Sequence, residues 1–347
     1  MLYMRGGLNA MIKNKLGIKK SVELKFCDNP FSKMYHNLAF PLGIIQANAK
    51  SDITPWLCGK YTNCFFLHKD NLENMFDICV DDKWAINDGV ILRQKIIMLK
   101  EFYEVLSIDY IELLKNFITI GCYPYGDCNE EFILGKVHFG KQYFEHDYLL
   151  YGYDDNKEVF YSVGYLDDNN FQKYEISYQN MRLALNSWKE ERPFFVFFKF
   201  NEKFEFEFNI AKVKNGISNY LNSKNDAVNI KYKYVGMEAI EKLALYMTQC
   251  IKNGLMIDLR YTRGIVEHKF FMRLRVKYLL DNGYIMDKFL LECAEEIYKY
   301  AENIHMLGIK YNISKNKNIA GSILSTISIM LEKESKYLNI LIQSLTC

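Results

Sequence analysis

HDYLLYGYDD, residues 146–155, and VFYSVGY, residues 159–165, are the stretches on which the fold reading turns. Both are rich in Tyr, Val and Leu, the side chains that favour a pleated surface. Asp154-Asp155-Asn156-Lys157 between them has turn composition, so the pair reads as a hairpin. A second turn, Asp167-Asp168-Asn169-Asn170, leads into a further run at 171–178. Working outward, residues 118–125, 132–139, 143–153, 158–166, 171–178 and 194–200 read as strands, with a helix at 178–191. Upstream, residues 1–20 read as a weakly helical lead-in and SVELKFC (21–27) alternates briefly. Asp28, Asn29, Pro30 and Ser32 then form a breaker and helix-start cluster. Met34, Leu38, Phe40, Leu42, Ile45 and Gln46 predict a helix disturbed at Pro41. Residues 90–117 predict one or two helices. From 209 the period is helical throughout, over 209–221, 236–254, 258–282, 285–308 and 316–345. The expected architecture is α+β: a sheet-bearing domain over 1–208, then an all-helical domain over 209–347.

Composition narrows the function classes. The chain has 347 residues, 50% hydrophobic and 25% charged, the balance of a globular protein. Its formal net charge of +2 lacks the basic excess of a general nucleic-acid binder, so no nucleic acid is expected as partner. No apolar run is long enough to span a membrane, and the basic N-terminal stretch has no secretory apolar core. The expected location is cytoplasmic, without membrane association. The 9 cysteines include no CxxC pair, so no zinc ribbon or thioredoxin motif is present. Cys122, Cys128 and His138 fit no common zinc spacing, and no metal is expected.

Cys27 stands out because a helix start is expected beside it. Free N–H groups and the helix dipole there lower a thiol pKa and can stabilise an oxyanion. A thiolate nucleophile needs a base, and His146, at the start of a strand, is the chosen partner. His36, read as two turns into the first helix, is an alternative base. Asp147 adjoins His146, but neighbouring strand residues point to opposite faces. No Gln precedes Cys27 within six residues, so part of the oxyanion role is assigned to the Cys27 backbone N–H. Arg260, Arg263, Glu267, His268, Lys269, Arg273, Arg275 and Lys277 crowd one helix. One reading is a solvated, salt-bridged face; the other is a docking surface centred on Arg273 and Arg275 for an acidic partner bearing a phosphate.

A Cys opening a helix and a His on a later strand resemble the layout of papain-like enzymes. The block from His146, with V-F-Y-S-V-G-Y and I-S-Y-Q-N-M-R-L-A-L after it, resembles the papain-like domain of butirosin-biosynthesis-protein-H-like proteins, relatives of bacteriocin-processing cysteine peptidases. F-C-D-N-P resembles their nucleophile segment, and residues 263–280 their following helical region. The resemblance implies a papain-like cysteine-protease fold with Cys27 as nucleophile and His146 as base. Where the family carries an orienting Asp this chain has about Gly164, which leaves Asp167 as the candidate acid or a dyad without one. It also implies amide-forming acyl transfer in thiotemplated peptide biosynthesis. The group would move from a thioester on the phosphopantetheine of an acyl or peptidyl carrier protein, through acyl-Cys27, to a small-molecule amine. No cofactor is implied on the chain itself. The alternatives are a hydrolytic cysteine peptidase or thioesterase, and an inactive scaffold that binds a carrier protein.

Overall fold

Seven antiparallel strands make the main sheet, and their order explains why the His146 block is central. The computed structural model describes residues 19–67, 74–78, 89–97, 109–187, 189, 194–224 and 234–345. In the first of two compact units the elements are β1 (Ser21–Glu23), α1 (His36–Asn48), β4 (Ile91–Ile97), α3 (Tyr110–Thr119), β5 (Tyr123–Asn129), β6 (Glu145–Asp154), β7 (Val159–Tyr165), β8 (Phe171–Ser177), α4 (Tyr178–Asn186) and β9 (Phe194–Phe200). Strand order is β4-β9-β5-β6-β7-β8, and β1 lies on β6 beyond the end of β5. The β6–β7 hairpin pairs Leu149 with Val163 and Asp154 with Val159, with a register shift between Leu150 and Gly152. On β5, Cys128 pairs with His146.

Each face of the sheet is covered by helix. Tyr148, Leu150, Tyr153, Phe160, Ile176 and Phe197 are buried with Ile111, Leu114 and Ile118 of α3 and Met181, Ala184 and Leu185 of α4. Asp109 and Ser177 cap these two helices by accepting from Ile111 N and Asn180 N. On the other face, Phe40 of α1 meets Tyr125 and Phe171 at ring distances of 6.1 and 6.3 Å. Residues 38–45 of α1 are buried all round. At Gly43 the fit is closest, since a Cβ there would stand 2.2 Å from Phe26 Cζ. Gly43→Ala should therefore lower stability by about 1–3 kcal/mol in urea denaturation, although Ala is the better helix former. An unchanged or raised midpoint would mean that Phe26 moves freely.

The second unit carries α2 (Thr54–Leu57), β2 (Phe65–Leu67), β3 (Met75–Asp77), α5 (Ile210–Leu221), β10 (Tyr234–Val235), α6 (Gly236–Lys252), α7 (Leu259–Asp281), α8 (Phe289–Ser314) and α9 (Ile319–Ser344). Its small sheet runs β10-β2-β3. The helices share a core containing Leu243, Ile265, Leu279, Ile304, Ile323 and Leu338. Asn209 and Asp258 cap α5 and α7. Among the described helices, none is long and apolar enough to cross a membrane.

Several expectations are corrected. Residues 91–97 are a strand paired with β9, not helix. Their apolar residues fit either period, and the cross-strand partner decides. Residues 132–139 form no strand: a single 3-10 turn, Glu130–Phe132, and further turns replace it. The first helix begins at His36, so the breaker cluster after Cys27 does not start it. The units do not divide at 208: one holds the chain up to Ala49 and Ile86–Phe204, the other Lys50–Ala85 and Glu205–Cys347. Residues 1–18, Cys79, Cys347, His68 and residues 98–108 lie outside the described residues.

Candidate active site

Four elements of the first unit bring charged groups together at the start of β6. His146 is the second residue of that strand, and its Nδ1 lies 2.8 Å from Glu130 Oε1. Glu130 stands just past the end of β5, and the Cys128–His146 pairing sets it beside the ring. Glu130 is buried and also receives Lys136 Nζ at 3.3 Å. His36 opens α1 and places its Nδ1 2.6 Å from Asp147 Oδ1. Asp147 Oδ1 is in turn 3.5 Å from His146 Nε2, and the two imidazoles lie 5.1 Å apart. Asp147 thus joins the same cluster as His146, against the opposite-face expectation.

The electrostatics are mutual. Burial alone would lower the His146 pKa, but the Glu130 hydrogen bond and the Asp147 charge outweigh it and raise it. Burial would raise Asp147, yet His36 and His146 hold it at about 2. Burial would likewise raise Glu130, and the bond from His146 with the Lys136 charge brings it below its usual range. Both carboxylates are therefore anions and accept only. Each imidazole then turns its Nδ1–H toward a carboxylate, and His146 Nε2 lies near the other oxygen-bearing group, Asp147. The His146 ring is 41% exposed. His36 is 7% exposed, and its Nε2 has no hydrogen-bond partner.

Cys27 is at the other end of α1. Its Sγ lies 3.9 Å from Gln46 Nε2, and no hydrogen bond joins it to His146 among the described residues. His36 and Gln46 are ten residues apart on one helix, about 15 Å along its axis. The residue that opens the helix and faces the strand histidine is His36, not a thiol. The Cys27 N–H donates to Gly43 O at 3.0 Å, so it is not available as an oxyanion donor. The cysteine paired with His146 is Cys128, a fully buried thiol that burial pushes well up. Burial also raises Cys58 to about 11 and Cys64 to about 12. Iodoacetamide at pH 8 should accordingly label the part-exposed Cys27 and Cys293 well before Cys58, Cys64 and Cys128. Early labelling of Cys128, read by peptide mass spectrometry, would contradict this burial.

The remaining candidates fall outside the cluster. Asp167 is exposed in the β7–β8 turn, where its backbone N–H donates to Gly135 O, and no bond or ion pair links it to His146. The carboxylate on the His146 ring is Glu130, which sequence reasoning missed because it assigned the following residues to a strand. Gly164, the position lacking an acid, does adjoin the cluster. A Cβ there would stand 3.4 Å from both His36 Nε2 and Lys136 Nζ. Arg275 is not a docking residue: it is 1% exposed and donates to Cys58 O and Lys60 O at 2.7 and 2.6 Å. Burial lowers its pKa to about 10. Arg273 is partly covered, paired with Glu295 at 3.2 Å and stacked over Tyr298 at 4.2 Å. The chain matches no protein-family model, and a search of curated proteins finds no match.

Proposed function

We propose that this chain forms an amide bond from an acyl or peptidyl thioester on a carrier protein, using a papain-like first unit with His146 as the base. The observation that supports it is the 2.8 Å bond between Glu130 and a half-exposed His146 ring. The Glu130 carboxylate accepts a hydrogen bond from Nδ1–H, which fixes the tautomer and leaves the lone pair on Nε2, the atom 3.5 Å from Asp147 Oδ1. In this reading the amine of the acceptor attacks the thioester carbonyl carbon directly. Its surplus proton passes to His146 Nε2. The tetrahedral intermediate collapses with cleavage of the C–S bond, and the pantetheine thiolate leaves with that proton. Amide is more stable than thioester, so transfer runs forward. Cys27 forms no bond to the acyl group, which is where this reading departs from a papain-like acyl-enzyme. The substrate class comes from the family resemblance around His146, and a cytoplasmic location follows from it.

A second reading is a carrier-protein-binding scaffold without turnover. It is favoured by His36 standing where the helix-opening nucleophile is expected and by Gly164 where an acid is expected. Incubation with an acyl-loaded carrier protein and an amine separates the readings by mass spectrometry. Amide formed equally by wild type and Cys27→Ala supports direct transfer. An acyl adduct on Cys27 supports the acyl-enzyme instead, and free acid supports hydrolysis. Carrier-protein binding without any product supports the scaffold.

A further inference from the structure

We infer that His36, His146 and Asp147 bind one divalent transition-metal ion of the zinc class. One donor atom from each lies within 4.8 Å of the other two. Zinc holds nitrogen and carboxylate oxygen at about 2.0–2.2 Å, so two donors on one ion stand at most about 4.4 Å apart. Tetrahedral donors stand about 3.3 Å apart, so closing on an ion would open the 2.6 Å His36–Asp147 contact and draw the wider pairs together by up to about 1.5 Å. Two imidazoles and one carboxylate suit Zn²⁺ or Fe²⁺; Ca²⁺ and Mg²⁺ require a shell of oxygens.

Three further features point the same way. Metal-bound histidines characteristically give their other N–H to a carboxylate, and His146 Nδ1 on Glu130 Oε1 is that arrangement. His36 Nδ1 is the ring atom that faces Asp147, so it is the donor an ion would take, in place of the present hydrogen bond. Around the cluster, Lys136 balances Glu130, so Asp147 leaves a net negative charge before either ring takes a proton. His36 is buried while His146 and Asp147 are half-buried, so an ion here keeps an open side for water or another ligand. The ion would occupy the same His146 Nε2 that proton transfer uses. A bound ion would therefore inhibit amide formation, which belongs to the metal-free chain, and the metal inference does not depend on the amide-forming reading.

The test therefore uses no substrate. Full-length protein is stripped with a chelator, then titrated with Zn²⁺ by calorimetry and with Co²⁺ by visible absorption. One equivalent is expected, with cobalt bands of nitrogen and oxygen ligation and no thiolate charge-transfer band. His146→Gln and Asp147→Asn should each weaken binding by at least about tenfold, and Glu130→Gln by about tenfold through its outer hydrogen bond. Cys27→Ala should bind as wild type does. Absence of a stoichiometric ion on the wild-type chain overturns the inference, as does a thiolate spectrum or affinity unchanged by His146→Gln. That variant alters a half-exposed ring, and circular dichroism checks its fold. If Asp147→Asn unfolds, wild-type stoichiometry and His146→Gln still decide the question.

Discussion

His146→Ala should slow amide formation by about 10²–10⁴-fold, the range typical of losing a positioned acid–base group. The loss should fall on kcat, since the ring in this reading moves a proton and does not hold the substrate. Glu130→Gln should slow the reaction as well. A neutral amide can still meet the ring but no longer compels Nδ1–H, so part of the population presents the wrong tautomer. Cys27→Ala is the counterpart: its thiol lies at the far end of α1, and its loss should change the rate by less than about threefold, a small effect beside that of an acid–base group. If Cys27→Ala is as slow as His146→Ala, the thiol takes part and α1 must move to bring it in. The assay is single-turnover transfer from an acyl carrier protein, resolved by mass.

The second large effect concerns stability. In the second unit, Lys269 Nζ reaches Glu334 Oε1 and Oε2 at 2.9 and 2.7 Å, and both side chains are fully buried. Tyr220 O–H donates to Glu334 and accepts from Lys269 at 2.6 Å. His268 Nδ1 lies 3.2 Å from the same ammonium, so four acceptors share its three protons, while His268 Nε2–H donates to Thr62 O. His268 is held neutral: burial and the Lys269 charge push its pKa far down. Glu334→Leu would leave an ammonium in the core without its counter-ion. The expected loss is about 3–5 kcal/mol in urea or thermal unfolding. The double change Lys269→Met with Glu334→Leu should recover most of it, because removing both charges removes the desolvation problem. A single-site loss under about 1 kcal/mol would show that water reaches this pair.

What the sequence discloses depends on how local each signal is. The β6, β7 and β8 runs and the last five helices carry their own periodicity, so most of their limits fall within a few residues of expectation; the helix expected over 285–308 instead runs Phe289–Ser314, through Gly308. The 91–97 segment carries no such signal, since its pairing partner is a hundred residues away on β9. The cluster was half legible. His146 was identifiable from its strand block, but Glu130 reaches it only through the β5–β6 register, and His36 only through the docking of α1 on the sheet. A helix start placed just after Cys27 made that thiol a better candidate than it is. The true first turn begins at His36, past Tyr35, whose side chain makes no capping bond. Likewise Arg275 shares the charged spacing of its helix yet faces inward toward backbone carbonyls, which no pattern of charges reveals.

The division of the chain between the two units has a consequence for its synthesis. β2 and β3 leave the ribosome early, but β2 pairs with β10, which emerges only after the whole main sheet has been made. At about 5–20 residues per second, Phe65 and Phe66 wait on the order of ten seconds for their neighbour strand. During that interval β2 lacks the strand it pairs with in the finished sheet. A shortened gene ending near residue 208 would make the wait permanent, so excising the first unit cleanly requires removing the 50–85 segment and joining its ends.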